Sequence, residues 1–170
     1  MHLEQGRHPN CITKIIGIHS PGHGRAAFRF TTDKAHVWLR SADFIPPPVH
    51  AGGLRYHGMA PIICHLYKLG LIEARAEYQI PIFEAGVQFA RTEGIITAPE
   101  PCHDLKAAMD EALACKESGE SKTILIAHSG HGHFDLAAYD EYLSGKMQDY
   151  EYPEEKVKEA LAYLPEVPMA

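Results

Sequence analysis

Glycine and proline divide this 170-residue chain into helix-sized pieces, and that punctuation limits its fold more than any other feature of the sequence. Gly70, Gly94 and Gly119 each stand just past a run of helix-forming residues, and Pro61 and Pro81 stand in the first turn of two of those runs. Proline suits a first turn because the N–H it lacks would have no partner there, and glycine takes the left-handed conformation that ends a helix. The punctuation predicts helices over 59–69, from about Pro81 to Glu93, and from about Cys102 to Glu117. The third carries Leu105, Ala108, Met109, Ala112 and Leu113 on one face and Lys106, Asp110 and Glu117 on another, the pattern of a helix lying on a sheet. Strands are predicted at Leu71 to Tyr78 and, as a buried run, at Ile124 to Ala127; further helices are predicted from about Asp135 to Leu143 and over Pro153–Leu164. Alternation of this kind predicts an α/β sheet flanked by helices. So few strands leave sheet edges and an apolar face uncovered, so the chain from residue 42 onward reads as part of a domain.

The charge distribution changes at Arg40. Up to that residue six basic side chains face two acidic ones, and after it ten face twenty. Residues 1–40 hold five histidines and two short apolar runs, around Ile15 and Val37, with no sustained helical or alternating pattern. The expectation is a weakly structured segment over 1–40, a main unit over 41–150 and a helical tail over 151–170. Ser20-Pro-Gly-His-Gly24 reads as a turn rather than a phosphate loop, and Pro46 to Pro48 must be extended before the Gly52-Gly53 loop.

A 45% hydrophobic content is enough for a sizeable core, and a net charge of −6 without a concentrated basic patch argues against nucleic acid as a partner. No run approaches the ~18 apolar residues of a membrane span, and no charged-then-apolar leader opens the sequence, so a cytoplasmic protein is expected. Cys11, Cys64, Cys102 and Cys115 lack C-x-x-C spacing and are read as reduced thiols.

Chemistry-bearing side chains concentrate in Ile124-Leu-Ile-Ala-His-Ser-Gly-His-Gly-His-Phe134, an apolar run that ends in a glycine-rich loop. The carboxyl end of a strand in an open α/β sheet is where ligands bind, which makes Ser129, His128, His131 and His133 the first candidates. Together with His103, the three histidines also fit a zinc hydrolase, whereas Gly130 and Gly132 suit close backbone approach to a ligand. Taken singly, Ser129 reads as a loop serine, Glu100 as a helix-start carboxylate, and His57 and His65 as loop and helix-face residues. Arg55 reads equally as a surface or a substrate-region charge. Cys102 is either activated by a helix N-terminus or buried and inert.

Three blocks, His50-Ala-Gly-Gly-Leu-Arg-Tyr-His-Gly58, Ala90-Arg-Thr-Glu-Gly-Ile-Ile-Thr-Ala-Pro-Glu100 and His128-Ser-Gly-His-Gly-His-Phe-Asp135, together resemble the C-terminal part of a tryptophan synthase β chain. The second block is similar to that family's E-G-I-I-P-A-x-E-S-x-H-A run and the third to its N-L-S-G-x-G segment. The Gly-Leu-Arg-Tyr-His-Gly form resembles the second, stand-alone type of β chain; the commoner type has an aspartate where Arg55 stands. The resemblance implies a three-layer α/β sandwich of fold-type-II enzymes, here partial, that uses pyridoxal 5′-phosphate to join L-serine and indole into L-tryptophan. It implies that Ser129, with Gly130, meets the cofactor's pyridine nitrogen and that Glu100 is the carboxylate near the reacting carbon. It also implies a monovalent cation held by backbone carbonyls of Tyr56 and Gly58.

The departures are specific. The family's Schiff-base lysine lies in an H-K-x-N motif and its phosphate cradle is G-G-G-S-N; neither motif occurs here. Thr97 stands for the usual proline, Pro101-Cys102 for small hydroxyl residues and Ala127-His128 for Asn-Leu. The expectation is a fragment or half of such an enzyme, partnered by an N-terminal half or by a second copy in a homodimer. The alternative expectation is an inactive remnant acting as an interaction module through an open sheet edge.

Overall fold

The computed structural model describes the backbone of residues 15–19, residues 49–54 and 71–149, and the isolated residues 62, 63, 66, 69 and 155. Strand β1, Ile15–His19, pairs in parallel with β2, Ile72–Ala76, with Ile15 opposite Ile72 and His19 opposite Ala76. A 3-10 turn at Gly52–Leu54 precedes β2, and the helices α1, Gln79–Glu93, α2, Pro99–Ser118, and α3, Leu136–Leu143, follow it. The apolar run around Ile15 thus forms a strand, which ties part of the first 40 residues to the sheet. One parallel strand pair with packed helices is a partial α/β arrangement.

α1 and α2 stop where glycine predicts: Gly94 and Gly119 take φ of 72° and 73° as their C-caps. Both helices start earlier than expected. Tyr78 and Ala98 stay extended as N-caps, and prolines at 99 and 101 are accommodated in the first turn of α2, where their missing N–H groups cost nothing. Of the helix expected over 59–69, residues 62, 63 and 66 are described and helical, as is Glu155 of the expected C-terminal helix; the rest of both lies outside the described residues.

The core is built from Ile82, Phe83, Cys102, Ala138, Tyr139 and Met147. Phe83 meets Tyr139 edge-on at 5.0 Å between ring centroids and stacks on Tyr142 at 6.0 Å. Gly86 lets the helices approach, since a Cβ there would lie 2.6 Å from Cys102 Sγ and 2.8 Å from Tyr139 Oη. On α2 the buried side runs through Cys102, His103, Leu105 and Ala107. Ala108 and Met109 are half-buried and Ala112 and Leu113 exposed, so the apolar face expected on α2 is covered only toward its N-terminal half.

The buried strand expected at Ile124–Ala127 does not form. Residues 120–130 run without regular structure, Ile124 is 40% and Leu125 81% exposed, and no backbone hydrogen bond joins 121–129 to another described residue. A strand exists only as one of a pair, and the described residues supply this run with no neighbour. Among the described residues, no helix is long and apolar enough to cross a membrane.

Candidate active site

The glycine-rich loop is fastened to the residues leading into α2. Thr97 and His131 form an isolated antiparallel bridge; the Ala98 N–H donates to the Gly130 carbonyl at 3.1 Å and the Gly132 N–H to the Ile96 carbonyl at 2.8 Å. A Cβ on Gly132 would sit 2.5 Å from the Thr97 carbonyl oxygen, so glycine is required for this approach. The Tyr139 hydroxyl, on α3, donates to that same Thr97 carbonyl at 2.6 Å. Thr97 is fully buried and its Oγ1 has no partner among the described residues, a polar atom standing where the resembling sequences carry proline.

Glu100 lies in the first turn of α2, where unpaired N–H groups favour a carboxylate. Its Oε1 accepts the Gly53 N–H at 2.6 Å, and a Cβ on Gly53 would come within 3.0 Å of Glu100 Cγ and Oε1. From the same block, His50 places Nε2 3.1 Å from a Glu141 carboxylate oxygen and packs edge-on against Phe83 at 6.2 Å. The three sequence blocks therefore converge: Gly53 on Glu100, and residues 96–98 on residues 130–132. Burial, and next the charge of Glu100, push the Asp135 carboxyl above the usual aspartate range, with His131 and His50 opposing. Both carboxylates and both imidazoles thus act in one electrostatic field.

Ser129 is exposed at the start of the loop, beside half-buried Gly130. The histidines diverge: His128 packs on Phe89 at 5.5 Å, while His131 lies 5.0 Å from His133 and 5.4 Å from Phe134. Among the described residues no three His, Cys, Asp or Glu side chains are grouped to hold a metal ion. Tyr56 and Gly58, with Arg55, His57 and His65, lie outside the described residues.

Cys102 resolves toward the inert reading. Its Sγ is fully buried, 3.4 Å from Tyr139 Oη, and burial pushes the thiol up to about 11. Desolvation outweighs the pull of the helix N-terminus. His103 was legible only as a candidate metal ligand; it is buried, with Nδ1 2.9 Å from the Pro99 carbonyl and Nε2 without a partner among the described residues. Because the Pro99 carbonyl can only accept, Nδ1 carries the proton, and burial lowers the pKa of the ring.

That depression has a sign. The folded state holds His103 neutral where the unfolded chain would protonate it, so unfolding takes up a proton and stability falls as pH drops below the ordinary histidine range. The contribution is bounded by about 1.4 kcal/mol per pH unit. Chemical denaturation at pH 7.5 and 5.5 is expected to show a smaller acid loss in His103→Gln than in the parent; equal losses would place the proton uptake elsewhere.

No protein-family model matches the chain. Among curated proteins it is 64% identical over 107 residues to tryptophan synthase β chain 2 of Aquifex aeolicus, covering 63% of this chain and 25% of the relative. It is 57% identical over 138 residues to tryptophan synthase β chain 2 of Methanothermobacter thermautotrophicus, covering 81% of this chain and 32% of the relative. The corresponding chain of Methanosarcina mazei is 58% identical over 151 residues, covering 85% of this chain and 34% of the relative. The 85% of this chain is more than residues 41–170 can supply, so the similarity reaches into the first 40 residues. The chain spans about a quarter to a third of the length of the curated relatives it matches. At this identity, with three motif blocks in order and in contact, the chain is similar to a C-terminal-type part of tryptophan synthase β chains, over about a quarter to a third of their length.

Proposed function

We propose that residues 41–150 supply one wall of a pyridoxal 5′-phosphate site of the tryptophan synthase β-chain kind, within a three-layer α/β sandwich of which this chain holds a portion. The complete site joins L-serine and indole into L-tryptophan. The observation that carries this reading is the convergence of the three blocks, with Glu100 anchored by the Gly53 N–H and the Ser129 loop fastened beside it.

The residues present fit one end of the cofactor. Ser129 offers an exposed hydroxyl next to a glycine without a side chain to block the approach of a ring. When bound, pyridoxal phosphate supplies an electron sink for the bonds at the amino-acid α-carbon. Ser129 would meet the ring nitrogen with a neutral hydroxyl, which would hold no proton there and would leave that sink weak. Glu100, held by one N–H, retains lone pairs with which to accept or deliver a proton as the hydroxyl of L-serine departs. The lysine and phosphate-cradle motifs of the resemblance, H-K-x-N and G-G-G-S-N, do not occur in this sequence, so both groups are assigned to another segment. An N-terminal portion of a β chain, or a second subunit, supplies them. A monovalent cation at the carbonyls of Tyr56 and Gly58, and a cytoplasmic setting, complete the proposal.

Two results are expected. With pyridoxal phosphate and borohydride, the purified chain yields no stoichiometric pyridoxyl-lysine by peptide mapping. When a complementing N-terminal portion restores tryptophan formation, Glu100→Gln and Ser129→Ala each lower kcat, the former by about 100-fold, as for loss of a proton-transferring group. Ser129 is exposed, so its replacement leaves the melting temperature unchanged. Restored turnover that neither substitution alters would remove both residues from the chemistry.

A further inference from the structure

A closed circuit of hydrogen bonds braces the loop that follows Ser129. The Gly132 N–H donates to the Ile96 carbonyl and the Ala98 N–H to the Gly130 carbonyl, so the loop is held by the two neighbours of Thr97. The Asp135 N–H donates to the Gly132 carbonyl at 2.9 Å, which ties the far side of the loop to the start of α3. One helical turn on, the Tyr139 hydroxyl donates to the Thr97 carbonyl at 2.6 Å and closes the circuit. Of these four bonds it is the one made by a side chain, so a substitution can remove it without changing the backbone.

The closing bond is shielded from water. Thr97 and Cys102 are fully buried and Tyr139 is buried, beneath the bare backbone of Gly86 on α1. Cys102 Sγ lies 3.4 Å from Tyr139 Oη and 3.8 Å from the Thr97 carbonyl oxygen. Because the Tyr139 proton points to Thr97, its oxygen is left to accept the Cys102 S–H, and the donors run in one direction from thiol to hydroxyl to carbonyl. Burial pushes the thiol up to about 11 and raises the tyrosine further still, so both keep their protons at neutral pH. A small hydroxyl residue, which the resembling sequences carry at position 102, would enter the same chain as a donor.

We propose that Tyr139 is a positioning residue of the active site: its hydroxyl, oriented by Cys102, fixes the Ser129 loop against the turn of α2 that bears Glu100. The inference rests on the proposed function and adds to it a residue outside the three motif blocks. Thr97 is the point of transmission. Its neighbours hold the loop, and the Cys102 N–H on the Ala98 carbonyl, at 3.1 Å, starts α2 directly after it. Without the hydroxyl a buried carbonyl is left short of a donor, and Thr97 shifts both Ser129 and Glu100 as it seeks another.

Tyr139→Phe keeps the ring and its edge-on packing against Phe83 and removes the hydroxyl alone. In the full 170-residue chain, amide exchange at Ala98 and Gly132 is expected to accelerate about tenfold, the factor of one hydrogen bond, while exchange within α1 keeps the parent rate. Cys102→Ala is expected to raise the same two rates about threefold, and Cys102→Ser, which retains a donor, to leave them within about twofold of the parent. In an assembly where an N-terminal β-chain portion restores tryptophan formation, Tyr139→Phe lowers kcat about tenfold per bound cofactor. That loss disappears in a Ser129→Ala background, because a residue that acts through Ser129 then has nothing to position. A purely structural tyrosine would give the same fractional loss in both backgrounds. Parent exchange rates at Ala98 and Gly132 in Tyr139→Phe, or a kcat loss undiminished by Ser129→Ala, would overturn the inference. Accelerated exchange in an assembly whose turnover ignores both Ser129→Ala and Glu100→Gln supports the hold of Tyr139 on the loop and removes the proposed function; parent exchange in an assembly that needs both residues does the reverse.

Discussion

Gly132→Ala is expected to cost about 2–4 kcal/mol of stability, because the added methyl has no space to enter. Its Cβ would lie 2.5 Å from the Thr97 carbonyl oxygen and 2.8 Å from Ile96 Cγ2, and the obstruction is backbone that cannot swing aside. Relief requires lengthening the 2.8 Å hydrogen bond from the Gly132 N–H to Ile96, which also loosens the Thr97–His131 bridge. The neighbouring Gly130→Ala serves as the control. Its Cβ meets only the Ala98 side chain, at 3.1 Å, and a shift of a few tenths of an ångström relieves it, so a loss under about 1 kcal/mol is expected. Urea denaturation of the two variants checks the comparison; equal losses would mean that the loop is not fastened to Thr97 as described.

Phe83→Ala is expected to cost about 3–5 kcal/mol, the range for emptying a buried aromatic site. Phe83 is fully buried and its ring meets Tyr139, Tyr142 and His50, so its removal opens a cavity that α1 and α3 both border. Native domains are stable by only about 5–15 kcal/mol, so the variant should unfold at markedly lower urea with an unchanged slope. Tyr139 depends on the same packing to hold its hydroxyl on Thr97, so loop exchange near Gly132 should accelerate in this variant as well. A loss below about 1 kcal/mol would place the core elsewhere.

The helices were legible because their limits are local chemistry: a glycine that can turn left-handed at 94 and 119, and prolines in first turns. Ile72–Ala76 was legible as a strand, but its partner was not, since β1 comes from a segment whose short apolar run carries no sign of what it pairs with. Ile124–Ala127 shows the opposite failure. Its apolar character reports what the segment requires, burial on both faces, whereas the residues that would provide it are not among those described. At the proposed site, motifs alone single out Glu100 and Ser129. The Gly53 N–H on Glu100 and the Tyr139 hydroxyl on Thr97 were not, because a backbone donor has no sequence signature and tyrosine carries no mark of which distant carbonyl it will meet. Histidine spacing suggested a metal site, but spacing fixes only separation along the chain; the rings of His128 and His131 turn to different neighbours. For Cys102 the helix N-terminus was visible in the sequence and the burial that overrides it was not.

The central claim, that this segment furnishes a working wall of a tryptophan-forming site, is tested most directly by transplantation. In a chimera, the matched segment of Aquifex aeolicus β chain 2 is replaced by the corresponding residues of this chain, and tryptophan formation from serine and indole is measured. The account predicts turnover within about tenfold of the parent, lowered by Ser129→Ala and by Glu100→Gln in the transplanted segment. A chimera that folds with the parent's melting temperature and binds pyridoxal phosphate, yet forms no tryptophan, would contradict it.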